Sequence, residues 1–569
     1  MKKRTQGIKD SRTQDVERFL VTEPGKYEYE VIMDELNSEK DLLGIIKAET
    51  EGDYEINLLS RHEVGKTKCR VEVKGIVSNG ARVKVKGRVK IDEGAIGSDS
   101  FLAMKLLMLD NRSLAVAEPE LEIENNEVKA SHSASVGRID EEQLFYLATR
   151  GVSKSEAEKL IIKEEFPILK RKINGHDLVY LDSGATSQKP ESVLRAMDDY
   201  YRNNNANIHR GVYDMSVEST RMVDEAREKV AKFIGARTEE IIFTRNASES
   251  LNLVMYSWGK KNIKEGDAVL VTRLEHHSNF VPWQVLCKEN KAEFRVWNVD
   301  REGRLVDEIA SVRSTETRND GKVKLIAMTG ASNAIGTLVD IKKMVEMVRS
   351  KNPDVVVVLD ASQMVPHMKV DVSKLPVDFV AFSGHKMLGP TGVGVLWGKK
   401  EVLNKMEPFL YGGDMIGEVG LESTTWGELP NKFEAGTPDI AGIIGLGAAV
   451  DYLESLGMDN VREHEKELIG YALEKFKELG DLVTVYGVDN VEEKGGALAF
   501  NVKGVHAHDV AQVLNNYGIA VRSGQHCAAP LVTSFGVSAM VRATFYIYNT
   551  KEEIDYLVEK LKEVPKVFA

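Results

Sequence analysis

Two segments place a reactive side chain directly after an apolar run. In SGHKMLGPTGVG, residues 383–394, Lys386 follows the stretch Val377 to Phe382 and precedes Gly389, Gly392 and Gly394. An amine at the end of a buried strand is partly stripped of water, and its pKa falls toward the range that Schiff-base chemistry with a carbonyl requires. Ser383 and His385 add short donors, and the glycines allow backbone to approach a ligand closely. The second segment, Val355 to Leu359, is almost all valine and ends in Asp360. A carboxylate there is costly unless a cation or donors meet it, or unless it caps the turn that follows. Gln363, three residues on, is close enough to serve the same ligand.

Two further segments supply complementary groups. FTRNASESLNLV, Phe243 to Val254, reads as a strand end, a turn and a helix start, so Ala247 and Ser248 would offer N–H groups and a hydroxyl to an anion, or Ser248 is a plain cap. In LEHHSN, His276 could lie flat on an aromatic ligand or be packed. One ligand uses all of these: an aldehyde for Lys386, a protonated ring nitrogen for Asp360, a phosphate for Ser248, Ser383 and His385, and a planar ring for His276. Pyridoxal 5'-phosphate has all four features.

Such residues need a frame that gathers strand ends. From Pro167 onward, buried runs (Ala268 to Val271, Lys324 to Met328, Val355 to Leu359, Val377 to Phe382, Val393 to Trp397) alternate with helical segments such as Arg221 to Ile234 and Ile341 to Val348. This predicts a mostly parallel sheet covered on both faces, with ligands at the carboxyl ends of its strands. Before that, between Tyr27 and Glu127, segments such as Arg70 to Lys74 and Arg82 to Lys90 alternate Val with charged residues and are punctuated by Gly75, Gly80 and Gly87. A sandwich or a β-solenoid with one wet face per sheet fits that pattern. Asp140 to Thr149 reads as a helix stopped by Gly151, and Ser153 with Glu156 as the capping box of a second helix through Ile162. The expected layout is multidomain: residues 1–166 all-β with a helical tail, 167–430 a large α/β domain with an N-terminal segment, and 431–569 a small α+β domain.

Length and composition agree with that layout. At 569 residues the chain is too long for one core, and 42% hydrophobic with 29% charged residues is the profile of a soluble globular protein. A net charge of -12 argues against a nucleic-acid partner, which would need clustered Lys and Arg. No stretch approaches the roughly 20 apolar residues of a membrane helix, and MKKRTQGIKDSRTQ lacks the apolar part of a secretory signal. Cys69, Cys287 and Cys527 form no CxxC pair and show no metal spacing. A reducing compartment, the cytoplasm, is therefore expected, with no metal site and with any reactive cysteine acting alone.

Residues 167–569 carry, in order, YLDSGATSQKP, NIHRGVYDMS, FTRNASESLNLV, LEHHSNFVPWQ, ASNAIGT, LDASQMVPH, FSGHKMLGPTGVGVLWG, FEAGTPDI, VRSGQHCAAPL and VRATFYIYNT. On these motifs the segment resembles the SufS-type cysteine desulfurases of the fold-type I, class V aminotransferase group. The resemblance implies a pyridoxal-phosphate enzyme that converts L-cysteine to L-alanine, leaves a persulfide on Cys527 and supplies sulfur for iron–sulfur cluster assembly. It implies Lys386 as the Schiff-base lysine, Asp360 beside the pyridine nitrogen, His276 stacked on the ring as a catalytic group, and Asn333 and Gln363 near the ring hydroxyl. Ala247, Ser248, Ser383 and His385 would complete the cofactor site. Thr437 would reach the phosphate of a neighbouring subunit, which implies a homodimer. Arg542, fifteen residues after Cys527, would bind the substrate carboxylate, with Asn333, Arg522 and His209 beside the substrate. The attacking thiolate needs an electropositive setting, for which His526 and Arg522 are candidates. Gln525, Tyr213 and Asp414 depart from the family pattern, where His, His and Glu are common. The short Cys527 to Arg542 spacing resembles the group with a compact cysteine loop, which relies on a dedicated sulfur-acceptor protein.

The first 166 residues resemble something else. HEVGKTKCRVEVKGIVSNG and PELEIENNEVKASHSASVGRIDEEQLFYLATRGVSKSEAEKLI are similar to the C-terminal part of the SufB/SufD scaffold proteins. That implies a right-handed parallel β-helix with a helical tail, and SufB/SufC-like scaffold components as partners. His132 matches a scaffold histidine tied to cluster building, or is an ordinary turn histidine, and Ile123 stands where SufB has a candidate cluster cysteine. The likeness is thus closer to SufD, with no cluster expected. The whole chain reads as a fusion of a SufD-like segment with a SufS-like desulfurase. A selenocysteine lyase and a catalytically weak docking subunit are the alternatives.

Overall fold

The computed structural model of the protein describes residues 15–48, 50–77, 79–108, 112–138, 165–306 and 322–568. The chain divides into two units, Met1–Ala157 and Glu158–Ala569. The helices expected between Asp140 and Ile162 lie outside the described residues.

The first unit is built from nine strands: β1 (Asp15–Val21), β2 (Gly25–Met33), β3 (Glu39–Ala48), β4 (Gly52–His62), β5 (Lys68–Val77), β6 (Ala81–Ile91), β7 (Asp99–Met108), β8 (Leu114–Ile123) and β9 (Lys129–Arg138). Odd strands pair in one sheet in the order β1-β3-β5-β7-β9 and even strands in another in the order β2-β4-β6-β8. Every neighbouring pair is parallel and in register. Each coil therefore gives one strand to each sheet, which is a solenoid and excludes the sandwich reading. The sheets are parallel yet wet on one face because each covers the inner face of the other, so every second side chain points inward. Tyr27, Ile56, Val85 and Ala117 stack along one inner row, and Leu42, Val71 and Leu102 along the opposite one. His132 continues the second row on β9 and is exposed, so it lies on a strand and not in a turn. Gly44 is required because a Cβ there would sit 2.2 Å from the Phe19 ring, which stacks on Tyr29 at 3.8 Å. On the outer face Arg82, Lys84, Arg88 and Lys90 of β6 pair with Asp53, Glu118, Glu120 and Glu122 on the flanking strands. These solvent-screened pairs keep the face solvated more than they hold the fold.

The second unit is organised by a seven-stranded sheet. Its spatial order is Ile241–Thr244, Gly394–Gly398, Phe379–Ser383, Val356–Asp360, Val323–Thr329, Ala268–Thr272 and Glu293–Trp297. Only Gly394–Gly398 runs antiparallel to its neighbours, so the other carboxyl ends share one edge. The central strands are almost wholly apolar because both of their faces are buried, whereas the edge strand Glu293–Trp297 is half-buried and carries Glu293 and Arg295. Val357 and Leu359 pack with the helices Asp214–Phe233 and Ile440–Leu456, while Val358 packs on the other side with Trp283 and Leu286.

A second, four-stranded antiparallel sheet, Val483–Tyr486, Ala497–Val502, Met540–Thr544 and Arg522–Gly524, forms a smaller lobe. Two segments fall on the other side of the expected divisions. Helix Ile440–Leu456 shares the core of the large sheet, since Ile440, Ile443, Leu446 and Leu453 are buried against Val223 and Val230. Val179–Tyr180 pairs in parallel with Ile519–Ala520, so the entry segment belongs with the small lobe. Phe166, expected at the end of the first module, is fully buried in the second unit, edge-on to Tyr548. No single helix among the described residues is long and apolar enough to cross a membrane.

Candidate active site

The carboxyl ends of the large sheet open on a cavity of about 610 Å³ between the sheet and the small lobe. Strand Phe379–Ser383 ends in the turn Gly384–Lys386, which delivers Lys386 to the cavity wall. Burial lowers the Lys386 pKa; Asp360 opposes that shift and Arg542 adds to it. Asp360 is the last residue of the central strand Val356–Asp360, is buried, and accepts the Ser362 N–H at 3.0 Å.

His276 reaches the same space from beyond strand Ala268–Thr272. Its Nδ1 accepts the Ser278 N–H at 3.1 Å and lies 3.0 Å from the Ser278 hydroxyl. Burial first, then the Lys386 charge, lowers its pKa to about 4, so the ring is neutral near pH 7. Behind it Glu275 is fully buried, held by donors from Thr272, Asn279 and Thr329, and burial pushes its pKa up to about 8.

The helix Ala247–Val254 starts at the cavity, capped by Asn246, whose side chain accepts the Glu249 N–H. Ala247 N–H donates to Ser383 Oγ at 2.9 Å, and Ser248 shares a hydrogen bond with Ser278. Gly389, Gly392 and Gly394 do not line this cavity: Gly394 serves the junction, since a Cβ there would sit 2.4 Å from Asn246 Cα, Gly389 packs against Gly384 and Leu446, and Gly392 lines a separate cavity. Gly389 and Gly394 thus permit protein segments to approach each other. His385 does line the cavity, and burial, with Lys386 and Lys189 adding, takes its pKa to about 4.

On the small-lobe side stand Arg522, Cys527 and Arg542. Arg542 is buried; one terminal nitrogen donates to Asn333 O at 2.6 Å and the other to Asp182 at 3.0 Å, while Nε has no partner. Arg522 is half exposed and forks onto the same Asp182, at 3.0 to 3.2 Å. Asp182 thus aligns two cations on one wall. Cys527 is exposed, whereas Cys287 is buried with its thiol pushed up to about 12. His526 does not supply the positive charge expected of it: its ring lies 3.0 Å from Met540 O, is buried, and is lowered to about 3 chiefly by desolvation. The electropositive setting of Cys527 comes from Arg522 and Arg542. His526 and Cys527 have φ of 51° and 55°, a left-handed pair that costs on the order of 1–2 kcal/mol per residue and so must be held by contacts.

Lys386, Asp360, His276, Ala247, Ser248, Ser383, His385, Asn333, Arg522, Cys527 and Arg542 all line the one cavity. Three expected residues do not. Gln363 stands behind the wall and donates to Gly184 O at 2.7 Å. Thr437 lines a separate cavity with Arg245 and Gly436. His209 is exposed, its N–H bonded to Thr220 Oγ1. Four further residues belong to the site: His277, Ser278 and Ser523 stand beside His276 and Arg522 in the sequence and line the cavity, whereas Asp182 has no such neighbour and is placed only by its contacts with Arg522 and Arg542.

The buried imidazoles set a pH dependence. His276 and His385 at about 4 and His526 at about 3 are neutral in the fold but protonate near 6.5 when unfolded. Their contribution to stability is complete above about pH 6.5 and is lost as the pH falls through 4. Glu275 has the opposite sign: raised to about 8, its contribution is complete below about 4.5 and is lost as the pH rises through 8. With solvent screening of the half-buried rings, urea unfolding should show a net loss of about 1–2 kcal/mol per pH unit from pH 6.5 to 4.5. A midpoint that holds or rises over that range would contradict these environments.

With this geometry in view, known proteins give a consistent picture. The family model described as aminotransferase class-V matches residues 179–557. The chain belongs to the class-V aminotransferase family. Within it, the relatives are cysteine desulfurases. A probable cysteine desulfurase of Halalkalibacterium halodurans is 48% identical over 408 residues, covering 72% of this chain and 98% of that protein. A cysteine desulfurase of Haloferax volcanii is 44% identical, with 72% and 97% covered. Among solved structures, an apo cysteine desulfurase from Thermococcus onnurineus superimposes with a TM-score of 0.67 at 38% identity, covering 72% of this chain and 98% of that one. This class-V chain carries more than those relatives: residues 2–165 match the SufBD core domain of the SUF iron–sulfur cluster assembly system.

Proposed function

We propose that the chain is a pyridoxal-phosphate-dependent cysteine desulfurase that converts L-cysteine to L-alanine and passes the sulfur through Cys527 toward iron–sulfur cluster assembly. The observation that carries this is the meeting, in one cavity, of a buried Lys386 of lowered pKa with an exposed cysteine and a buried arginine, Arg542.

The residues fit the cofactor on their own chemistry. Lys386 offers an amine to an aldehyde, Asp360 a carboxylate to a ring nitrogen, and neutral His276 a flat face. The start of helix Ala247–Val254, with Ser248 and Ser383, offers donors to a phosphate. Asn333 Oδ1 and Arg542 Nε are buried without partners, which leaves polar groups for ligands to satisfy. When bound, the cofactor supplies an electron sink for charge developing on the substrate carbon. The chain's own residues do the rest. Arg542, with two of its five donors used, binds the substrate carboxylate. Lys386 Nζ, unprotonated more readily because of its burial, moves protons at the substrate carbons. The Cys527 thiolate attacks the substrate sulfur: a sulfur–sulfur bond forms and the carbon–sulfur bond breaks. The electron pair of the broken bond stays on carbon, which takes a proton to become the methyl of alanine, and sulfane sulfur remains on Cys527 as a persulfide.

Thr437 and His209 lie outside this cavity, which supports a homodimer in which they serve the neighbouring subunit's site. For the SufBD-like unit, the reading is that covalent linkage keeps the sulfur source close to the SufB/SufC-like scaffold, raising its effective concentration. Incubating the full chain, and a chain beginning at residue 158 that keeps Phe166 and the rest of the second unit, with L-cysteine tests both points. Both should release alanine, and only the full chain should keep rapid transfer of sulfur to scaffold components. Absence of alanine from both would overturn the desulfurase reading, and equal transfer by both would overturn the tethering role.

A further inference from the structure

The left-handed turn at His526 and Cys527 has no side chain of its own to brace it on the cysteine side. The short helix Ala529–Ser534 begins immediately after it, and its N-cap residue, Ala528, has no side-chain acceptor for the first N–H groups. That acceptor comes from a distant part of the chain. The ring Nε2 of His277 accepts the Ala529 N–H at 3.0 Å, and the His277 backbone N–H donates to Cys527 O at 2.7 Å. One residue of the large lobe thus grips the small-lobe loop at two points, the cysteine's own carbonyl and the N–H two residues beyond it. Asn333 Nδ2 adds a grip on His526 O at 2.6 Å, but nothing from Asn333 reaches beyond the cysteine.

His277 directly follows His276, whose ring forms part of the cavity wall, so the dipeptide ties the cysteine loop to the face where the cofactor belongs. Burial lowers the His277 pKa, which favours the neutral ring that can accept a hydrogen bond.

We propose that His277 is the positioning residue of the nucleophile: through Ala529 N–H and Cys527 O it holds the Cys527 loop in its left-handed turn, aimed into the cavity. This rests on the desulfurase reading and adds a residue to it. His277 does not touch the reacting atoms. Its loss would leave the cofactor side intact and loosen only the thiol, and misplacement by about 1 Å is enough to cost on the order of a hundredfold in rate.

The test compares full-length wild type, His277→Ala and His277→Gln, all loaded with pyridoxal phosphate. The measurements are the cofactor's visible band, its change on adding L-cysteine, and the single-turnover rate of persulfide formation on Cys527 followed by mass. Expected for His277→Ala are a normal band, a normal spectral response to L-cysteine, and persulfide formation slowed about ten- to a hundredfold, with kcat lowered and KM little changed. In His277→Gln the amide oxygen can take the Ala529 N–H, and much of the rate should return. Persulfide formation at the wild-type rate in His277→Ala would overturn the proposal. So would an equal loss of the cofactor band and spectral response, unrelieved in His277→Gln, because that marks a general structural role. A wild type that forms no persulfide at all would instead overturn the desulfurase reading.

Discussion

Replacing Cys527 by alanine is expected to lower alanine release from L-cysteine by at least about a thousandfold while the cofactor's visible band stays as in wild type. No other thiol can substitute. Cys287 is buried beneath the sheet with its pKa pushed up to about 12, and Cys69 is buried in the first unit. The cofactor side does not depend on Cys527, because the groups that face it come from the large sheet: Lys386, Asp360, His276 and the start of helix Ala247–Val254. The same variant separates the two enzymatic readings. Selenium leaves carbon more readily than sulfur, so a selenocysteine lyase would keep most of its action on selenocysteine without the thiol. Alanine release from L-cysteine at near the wild-type rate in Cys527→Ala would remove the persulfide from the account.

The second large effect belongs to Lys386. In wild type, borohydride reduction should fix the cofactor to the peptide containing Lys386, adding its mass there. In Lys386→Ala no such adduct should form, and turnover of L-cysteine should fall at least about ten-thousandfold, since both the covalent attachment and the proton carrier are lost. The burial that lowers the pKa of this amine has no other evident use in the fold. An adduct on a different lysine, Lys189 being the nearest buried candidate with its pKa lowered to about 8, would reassign the attachment.

The parts of this site that could be read from the chain are those written in consecutive residues. Val355 to Leu359 is uniformly apolar because both faces of that strand are covered, and such a run announces where Asp360 must emerge. The turn after Phe379–Ser383 does the same for Lys386. Cys527, by contrast, stands out through the company of its motif and not through spacing, since nothing local marks its loop as active.

What could not be read are partnerships between distant segments. Asp182 and Arg542 lie far apart in sequence, yet their contact fixes the orientation of the buried guanidinium. His277 and Ala529 are joined only once the two lobes meet. The neutrality of His526 follows from its burial against Met540 O, which no local pattern reveals, so of the two candidates for the charge near the thiol, His526 and Arg522, only Arg522 supplies it. Gly389 and Gly394, expected to admit a ligand, admit protein segments instead, because a required close approach does not say what approaches. In the first unit, alternation correctly announced one wet face per sheet. It could not separate a sandwich from a solenoid, since both bury every second residue and differ only in which strands are neighbours.

The most direct measurement is the mass of the Cys527 peptide after a single turnover of the cofactor-loaded protein with L-cysteine in the absence of an acceptor. The account predicts the addition of one sulfur atom at Cys527, matched by one alanine released per site and removed by a thiol reductant. Alanine released while the Cys527 peptide keeps its original mass would contradict it.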